Sequence, residues 1–432
     1  METSSPLASM IWLLLEKAIS VLVSFGVTLA IARHLLPEVF GNLSYLLALV
    51  ALASPLMALG LNSLVSREVL SRPAQAKLIV GTALALRFIM GILVAPLMMI
   101  LANFYLDDGN RDLFYFLILA SVANAALVID FWLQAYVANR YASAVRLTSL
   151  IFFSFLRILA VIWDAGLSTF VYLASLEFVL VGLLYMLAYN RLSLGAKKLR
   201  YSLSETKRLL SDSRWLLLSG VAAMVYLRVD QVMLGVMVDD HAVGIYAASA
   251  RVSEVWYFIP AAIATSFFPQ LIRHRLDDPV KYGLSLQKLN DFLFCSALGV
   301  ALLISLCASW LFPLLFGASY ADSIPVLKVH IWVGLFVFMR ALLSKWLITE
   351  NLLKLSMFTQ LSGALANVIL NLWLIPLYGA VGAAYATVIS YAVAGYLVLF
   401  LHRDLWPMAI VVTKSLLLPY RLLGKGRRVY QN

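Results

Sequence analysis

Apolar residues occupy this chain in long blocks separated by short polar joints. A helix needs about 20 mainly apolar residues to cross a bilayer's hydrocarbon. That ruler predicts twelve spans, at residues 11–32, 40–62, 78–105, 113–136, 146–167, 169–190, 215–238, 242–270, 289–316, 326–349, 352–373 and 379–401. Turn chemistry marks several joints: Leu36-Pro37-Glu38 before Phe40-Gly41, Asp107-Asp108-Gly109-Asn110, Asp277-Asp278-Pro279, and Pro376-Leu377-Tyr378-Gly379. The first ten residues carry Glu2 and no basic cluster, and Glu16 and Lys17 interrupt the apolar block behind them. That block therefore reads as a retained transmembrane helix, not a cleaved signal peptide.

Composition agrees. Hydrophobic residues make up 63% of the 432 and charged residues only 13%, with a mean hydropathy of +0.91. Too little polar surface exists to coat a folded body in water, so the expected class is an all-α polytopic membrane protein. Cys295 and Cys307, the only cysteines, lie twelve residues apart in one apolar block, about 18 Å along a helix and out of disulfide reach.

Lysine and arginine outnumber aspartate and glutamate by 33 to 22, a net charge of +11. Their positions decide what that excess means. With the N-terminus inside, the cytoplasmic segments collect Arg67, Arg72 and Lys77, Arg140 and Arg146, the 191–214 connection, residues 273–288, and the tail, whereas the opposite loops hold only Arg33 and Arg111 beside acidic residues. This is the distribution of a membrane protein with both termini cytoplasmic. It removes the motive for nucleic acid binding.

The 191–214 connection is the longest and most basic, and it divides the spans six and six. The expected organisation is an N-terminal six-helix lobe over 1–190, a basic cytoplasmic linker over 191–214, a C-terminal six-helix lobe over 215–401 and a basic amphipathic cytoplasmic tail over 402–432. Phe40-Gly41-Asn42-Leu43-Ser44-Tyr45 and Val243-Gly244-Ile245-Tyr246 form a weak echo between the halves, and two related lobes are the usual plan of a secondary transporter. Residues 410–423 are too broken by Lys414 and Arg421 to span and read as an interfacial helix.

No loop exceeds about 25 residues, too short for an extramembrane domain of at least about 50. There is no GxxxxGK[ST] loop to bind ATP, and the five histidines are scattered without metal-ligand spacing, so neither a metal nor a cofactor is expected. A membrane polysaccharide polymerase stays open as an alternative, although no large outer loop is present.

Thirteen charged residues fall inside the predicted helices: Glu16, Lys17, Arg87, Asp130, Arg157, Glu177, Arg228, Asp230, Arg251, Glu254, Lys328, Arg340 and Lys345. Each costs about 2.5–3.5 kcal/mol at the bilayer centre unless paired or facing a cavity. Lys328 and Lys345 lie close enough to helix ends to snorkel. Arg87, Arg157, Arg228 and Arg251 fall near the midplane, two in each half. Depth matching sets Asp230 beside Arg251 and Arg228 near Glu254, while Arg251 and Glu254, three residues apart, can also pair within one helix. Four midplane arginines against Glu177, Asp230 and Glu254 leave a cationic surplus suited to an anionic, phosphate-bearing ligand.

Ala32-Arg33-His34-Leu35-Leu36-Pro37-Glu38-Val39-Phe40-Gly41 resembles the start of the polysaccharide-biosynthesis flippases, and Tyr226-Leu227-Arg228-Val229-Asp230-Gln231-Val232-Met233-Leu234-Gly235 with Val243-Gly244-Ile245-Tyr246-Ala247-Ala248 resembles their seventh-helix region. Leu315-Phe316-Gly317-Ala318-Ser319-Tyr320 and Tyr378-Gly379-Ala380-Val381-Gly382-Ala383-Ala384 are similar to later joints. This resemblance implies a Wzx-type O-antigen flippase of the multidrug/oligosaccharidyl-lipid/polysaccharide exporter superfamily, with two six-helix lobes in a V. It implies a bacterial inner-membrane protein that moves an undecaprenyl-pyrophosphate-linked oligosaccharide across the bilayer by alternating access, without being an enzyme. Membrane lipids, a polysaccharide polymerase and the glycan assembly machinery would be its partners. Under that implication Arg228, Arg251, Arg87 and Arg157 hold the pyrophosphate, and Asp230, Glu254 and Glu177 couple transport to H⁺ or Na⁺. A drug or cation antiporter of the same superfamily is the nearest alternative.

Overall fold

The computed structural model describes residues 6–135, 139–192 and 199–423. Residues 193–198 of the basic connection and 424–432 of the tail lie outside that description. The described residues form helices and no strand, and ten helical stretches are long and apolar enough to cross a membrane. The protein is thus an all-α multi-pass membrane protein.

Two of the ten stretches are double. Helix α1 (Pro6–Ala58) would be about 80 Å long if straight, but its backbone breaks at Leu36, where φ is 63°. The break falls at the Leu36-Pro37 joint, because proline disfavours α conformation in the residue before it. The α14 helix (Leu353–Gly395) breaks in the same way at Gly379, with φ 54°, a conformation open to a residue without a Cβ. Divided at those two breaks, the stretches accommodate the twelve expected spans. The other predicted joints are also present: Asp107 precedes α4, and the Asp278 carboxylate accepts from the Val280 and Lys281 N–H groups to cap α11.

The chain packs as two compact units, 1–244 and 245–432. The first holds α1, α2 (Leu61–Ser71), α3 (Ala76–Tyr105), α4 (Asp108–Ser121), α5 (Val128–Ala135), α6 (Asn139–Ile162), α7 (Leu167–Leu192), α8 (Leu203–Met237) and the first turn of α9 (Asp240–Glu254). Its core gathers Leu61, Leu64, Val65 and Val69 of α2 with Ile79, Val80 and Ala83 of α3, and Ile129 and Leu133 of α5, all almost completely buried. Between α4 and α5 the chain tightens into a 3₁₀ segment over Val122–Leu127, which interrupts the expected 113–136 span.

The second unit continues α9 and adds α10 (Phe258–Asp277), α11 (Pro279–Phe316), α12 (Ser323–His330), α13 (Val333–Thr349), α14, α15 (Trp406–Leu416) and α16 (Leu418–Leu423). The predicted eighth span, 242–270, is interrupted between α9 and α10. Residues 406–423 do form helices, as the amphipathic pattern implies, and one face is anchored in protein: Met408, Ala409 and Val412 join Leu289, Leu293 and Phe338 in the core of this unit. Ser415 donates to Asp291 at 2.6 Å, and Arg421 lies 3.5 Å from the same carboxylate.

The 191–214 connection differs from a plain linker. Helix α8 starts at Leu203, twelve residues ahead of the predicted 215, because Ser202 caps it. The Ser202 hydroxyl accepts from the Glu205 N–H at 3.5 Å, and the preceding backbone at Arg200 presses against Gly81 of α3.

Candidate functional site

Helix α8 carries two of the residues singled out by sequence, and its placement follows from a seam with the second half of α1 and with α2. The two sides of this seam are helical and run antiparallel, so contacting residue numbers sum to a nearly constant value from end to end. Gly41 lies against the Asp240 carbonyl and Gly244 against the Pro37 carbonyl. The Tyr45 ring lies on Gly235, where a Cβ would be 2.7 Å from the ring, and Pro55 faces Gly220. Gly60, at φ 66°, meets Leu216 and Leu217.

At the far end the seam becomes ionic. Arg72 donates to Glu205 Oε1 at 2.7 Å and to Glu68 Oε2 at 2.8 Å, and Arg208 pairs with Glu68 and lies 3.7 Å from Asp212. Glu68 and Glu205 are buried, and Arg72 sits between the two spans that flank it with its guanidinium held more firmly protonated, first by the Glu205 hydrogen bond. Sequence reading missed this network. Glu68 of α2 and Arg72 at its C-cap stand four residues apart, but nothing local shows Glu205 arriving from more than 130 residues away.

The seam leaves Arg228 near mid-depth, nine residues from the last residue of α8 or about 14 Å. It is half-buried, and among the described residues it has neither a carboxylate nor a hydrogen-bond partner. Asp230, two positions on and therefore on another face, is 3% exposed. The other predicted arginines are engaged. Arg157 of α6 pairs with Glu177 of α7 at 2.5 Å, so these two candidates neutralise each other within the first unit. Arg87 of α3 is 4% exposed and donates to Asn62 Oδ1 and to the Asn124 carbonyl, each at 3.0 Å. That carbonyl belongs to the 3₁₀ segment, whose tighter turn departs from the α-helical bonding pattern; Arg87 thus closes a helix interruption. In the second unit Arg251 and Glu254 stand 4.0 Å apart on α9, the within-helix pairing their spacing allows.

The second unit also contains a buried polar ladder that sequence reading passed over. Asn371 donates to Asn367 at 3.2 Å, Asn367 to Ser390 at 3.4 Å, and the Thr387 and Tyr246 hydroxyls are 3.0 Å apart. The available signal was the pair of asparagines four residues apart in an otherwise apolar helix. Among the described residues no group of three or more His, Cys, Asp or Glu side chains could hold a metal ion.

Ten long apolar stretches in two compact units, with charges inside the apolar spans, define a polytopic helical membrane protein. Residues 7–274 match the polysaccharide biosynthesis protein family, and the chain belongs to that family. Two relatives come from Haloferax volcanii. A probable flippase, AglR, is 31% identical over 191 residues, 42% of this chain and 39% of AglR. A probable low-salt glycan biosynthesis flippase, Agl15, is 22% identical over 223 residues, 50% of this chain and 46% of Agl15. The matched stretch thus spans less than half the length of either relative.

Among solved structures, the lipid II flippase MurJ in an inward closed conformation superposes with a TM-score of 0.73 at 12% identity, covering 95% of this chain and 92% of MurJ. An outward-facing multidrug resistance MATE family transporter of the MOP superfamily gives 0.64 at 16% identity, covering 96% and 99%. These likenesses establish a shared fold.

Proposed function

We propose that the protein is a lipid-linked oligosaccharide flippase that carries an undecaprenyl-pyrophosphate-linked glycan, such as an O-antigen repeat unit, across the bacterial inner membrane by alternating access. It works as a transporter and not as an enzyme, with both termini and the Glu205 end of α8 on the cytoplasmic side. The observation that carries this reading is Arg228: a half-buried cation near mid-depth in an apolar span, without a counter-charge among the described residues. An unpaired cation at that depth is costly unless a ligand or water meets it, and a guanidinium fork suits a pyrophosphate better than a point charge does.

In this reading Arg228 makes the principal pyrophosphate contact, and Arg251 the second once the anion competes with Glu254. Arg157 and Arg87 are the further candidate arginines, the one held by Glu177 and the other by Asn62 and Asn124. Asp230, Glu254 and Glu177 are the acids through which an H⁺ or Na⁺ gradient would act, since an ion drives transport only by binding the two conformations unequally. The prenyl tail stays among membrane lipids, and a polymerase and assembly enzymes receive the product.

Flipping of a fluorescent undecaprenyl-pyrophosphate glycan in proteoliposomes tests the proposal. Arg228→Ala is expected to lower the rate at least about tenfold at normal abundance, with partial recovery in Arg228→Lys. Wild-type rates in both Arg228→Ala and Arg251→Ala would overturn it.

A further inference from the structure

The first unit contains a second acidic cluster, away from the seam. Arg146 of α6 donates from Nε to Glu16 Oε1 at 2.7 Å and from Nη1 to Asp130 Oδ1 at 2.7 Å. Ser143 donates to the other Glu16 oxygen, and Gln134 to Asp130 Oδ2 at 3.1 Å. Two carboxylates from α1 and α5, 8% and 9% exposed, therefore share one arginine. Lys17 is the other cation beside Glu16 on α1, and it is exposed. The buried part of the cluster thus has one negative charge in excess.

A fourth helix adds an independent observation. Tyr185 of α7 is fully buried, with its hydroxyl facing Asp130 and Arg146 but without a well-formed hydrogen bond to either among the described residues. A buried hydroxyl left unsatisfied costs about 1–3 kcal/mol, so its position beside an over-charged carboxylate pair calls for a further group. A phenol can donate to a carboxylate or accept from a carboxylic acid, which suits it to a site that changes its protonation state.

We propose that Glu16, Asp130 and Tyr185 form a proton-binding site within the first unit, with Asp130 as the group that takes the proton. Glu16 is held by both Arg146 and Ser143, whereas Asp130 has one contact to Arg146 and the weaker amide of Gln134, and Asp130 is the carboxylate that faces the Tyr185 hydroxyl. The proton comes from water. It forms an O–H bond on Asp130, which donates to the Tyr185 oxygen and leaves Arg146 to Glu16 alone, and it returns to water on release. The charged and titratable groups around the site are Glu16 and Lys17 on α1, Asp130 on α5, Arg146 on α6 and Tyr185 on α7.

As a coupling site this rests on the flippase reading, but proton binding itself does not, and the experiment separates them. Infrared difference spectra of the purified protein without glycan, titrated between about pH 5 and pH 8, count carboxylic acids directly. The wild type is expected to gain about one carboxylic-acid band per molecule on acidification, lost in Asp130→Asn and shifted in frequency and midpoint in Tyr185→Phe, which removes one oxygen and leaves the fold intact. An identical band in the wild type, Asp130→Asn and Tyr185→Phe overturns the site, as does a response to sodium with none to pH. In proteoliposomes the same Asp130→Asn is expected to flatten the pH dependence of flipping. If the infrared band behaves as stated while no glycan is flipped, the site stands and the flippase reading falls.

Discussion

The seam that holds α8 is built in opposite ways at its two ends. Near Asp240, at the start of α9, the contact is backbone on backbone: Gly41 and Gly244 touch the opposing carbonyls, and the Asn42 side chain donates to Asp240 at 3.0 Å. Near Glu205 the contact is charge on charge, with two buried glutamates gripped by Arg72 and Arg208. Glycine contacts depend on shape, so they are insensitive to salt and intolerant of an added methyl. Ion pairs depend on charge and solvation and tolerate changes of shape, but not the removal of one partner. The seam is therefore fixed by sterics where α1 meets the start of α9 and by electrostatics where α2 meets the start of α8, and each end can be loosened without touching the other.

The largest effect should come from the steric end. Gly41→Leu or Gly244→Leu places side-chain atoms where a carbonyl now lies, so a loss of about 3 kcal/mol or more, or no folded protein in the membrane, is expected. Gly26→Leu is the control, because nothing lies within 4 Å of its Cβ position; abundance and thermal stability in detergent compare the three. Equal behaviour of Gly41→Leu and Gly26→Leu would dissolve the contrast.

Next comes the ionic end. A double-mutant cycle on Arg72 and Glu205 should give a coupling of about 1–2 kcal/mol, with each single substitution costing more because it strands a buried partner. Raising salt should weaken that coupling, since Arg72 and Arg208 are partly exposed. The thermal shift of a milder steric variant, Gly41→Ala, should be unchanged by the same salt. The smallest effect sharpens the boundary between the two regimes: Asn42→Ala removes the Asn42–Asp240 hydrogen bond at the glycine end and should cost about 1 kcal/mol. A loss as large as that of Gly41→Leu would mean that the bond, not the close approach, holds this end.

The helical joints were legible because their causes are local. Proline acts on the residue before it, as at Leu36, and a side-chain cap reaches two or three residues, as at Asp278. The Ser202 cap was equally local and went unread inside a stretch counted as a linker because it was basic. The candidate site was legible only as a list of charged residues in apolar blocks. Depth along a helix put Arg228 near the midplane, and spacing allowed the Arg251–Glu254 pair. It could not show that Arg157 meets Glu177, that Arg87 closes an interrupted helix, or that Arg146 divides itself between Glu16 and Asp130.

The sequence by itself determined the solvent and the elements. Apolar blocks of spanning length dictate helices in lipid, because a backbone in hydrocarbon must satisfy its own hydrogen bonds, and the polar joints dictate where those helices end. Only the tertiary structure decided which charges are neutralised and which are left to a ligand or a proton. A charge near mid-depth has the same cost in every sequence, and what offsets it is a partner on another helix, brought within about 3 Å by packing between residues tens to hundreds of positions apart.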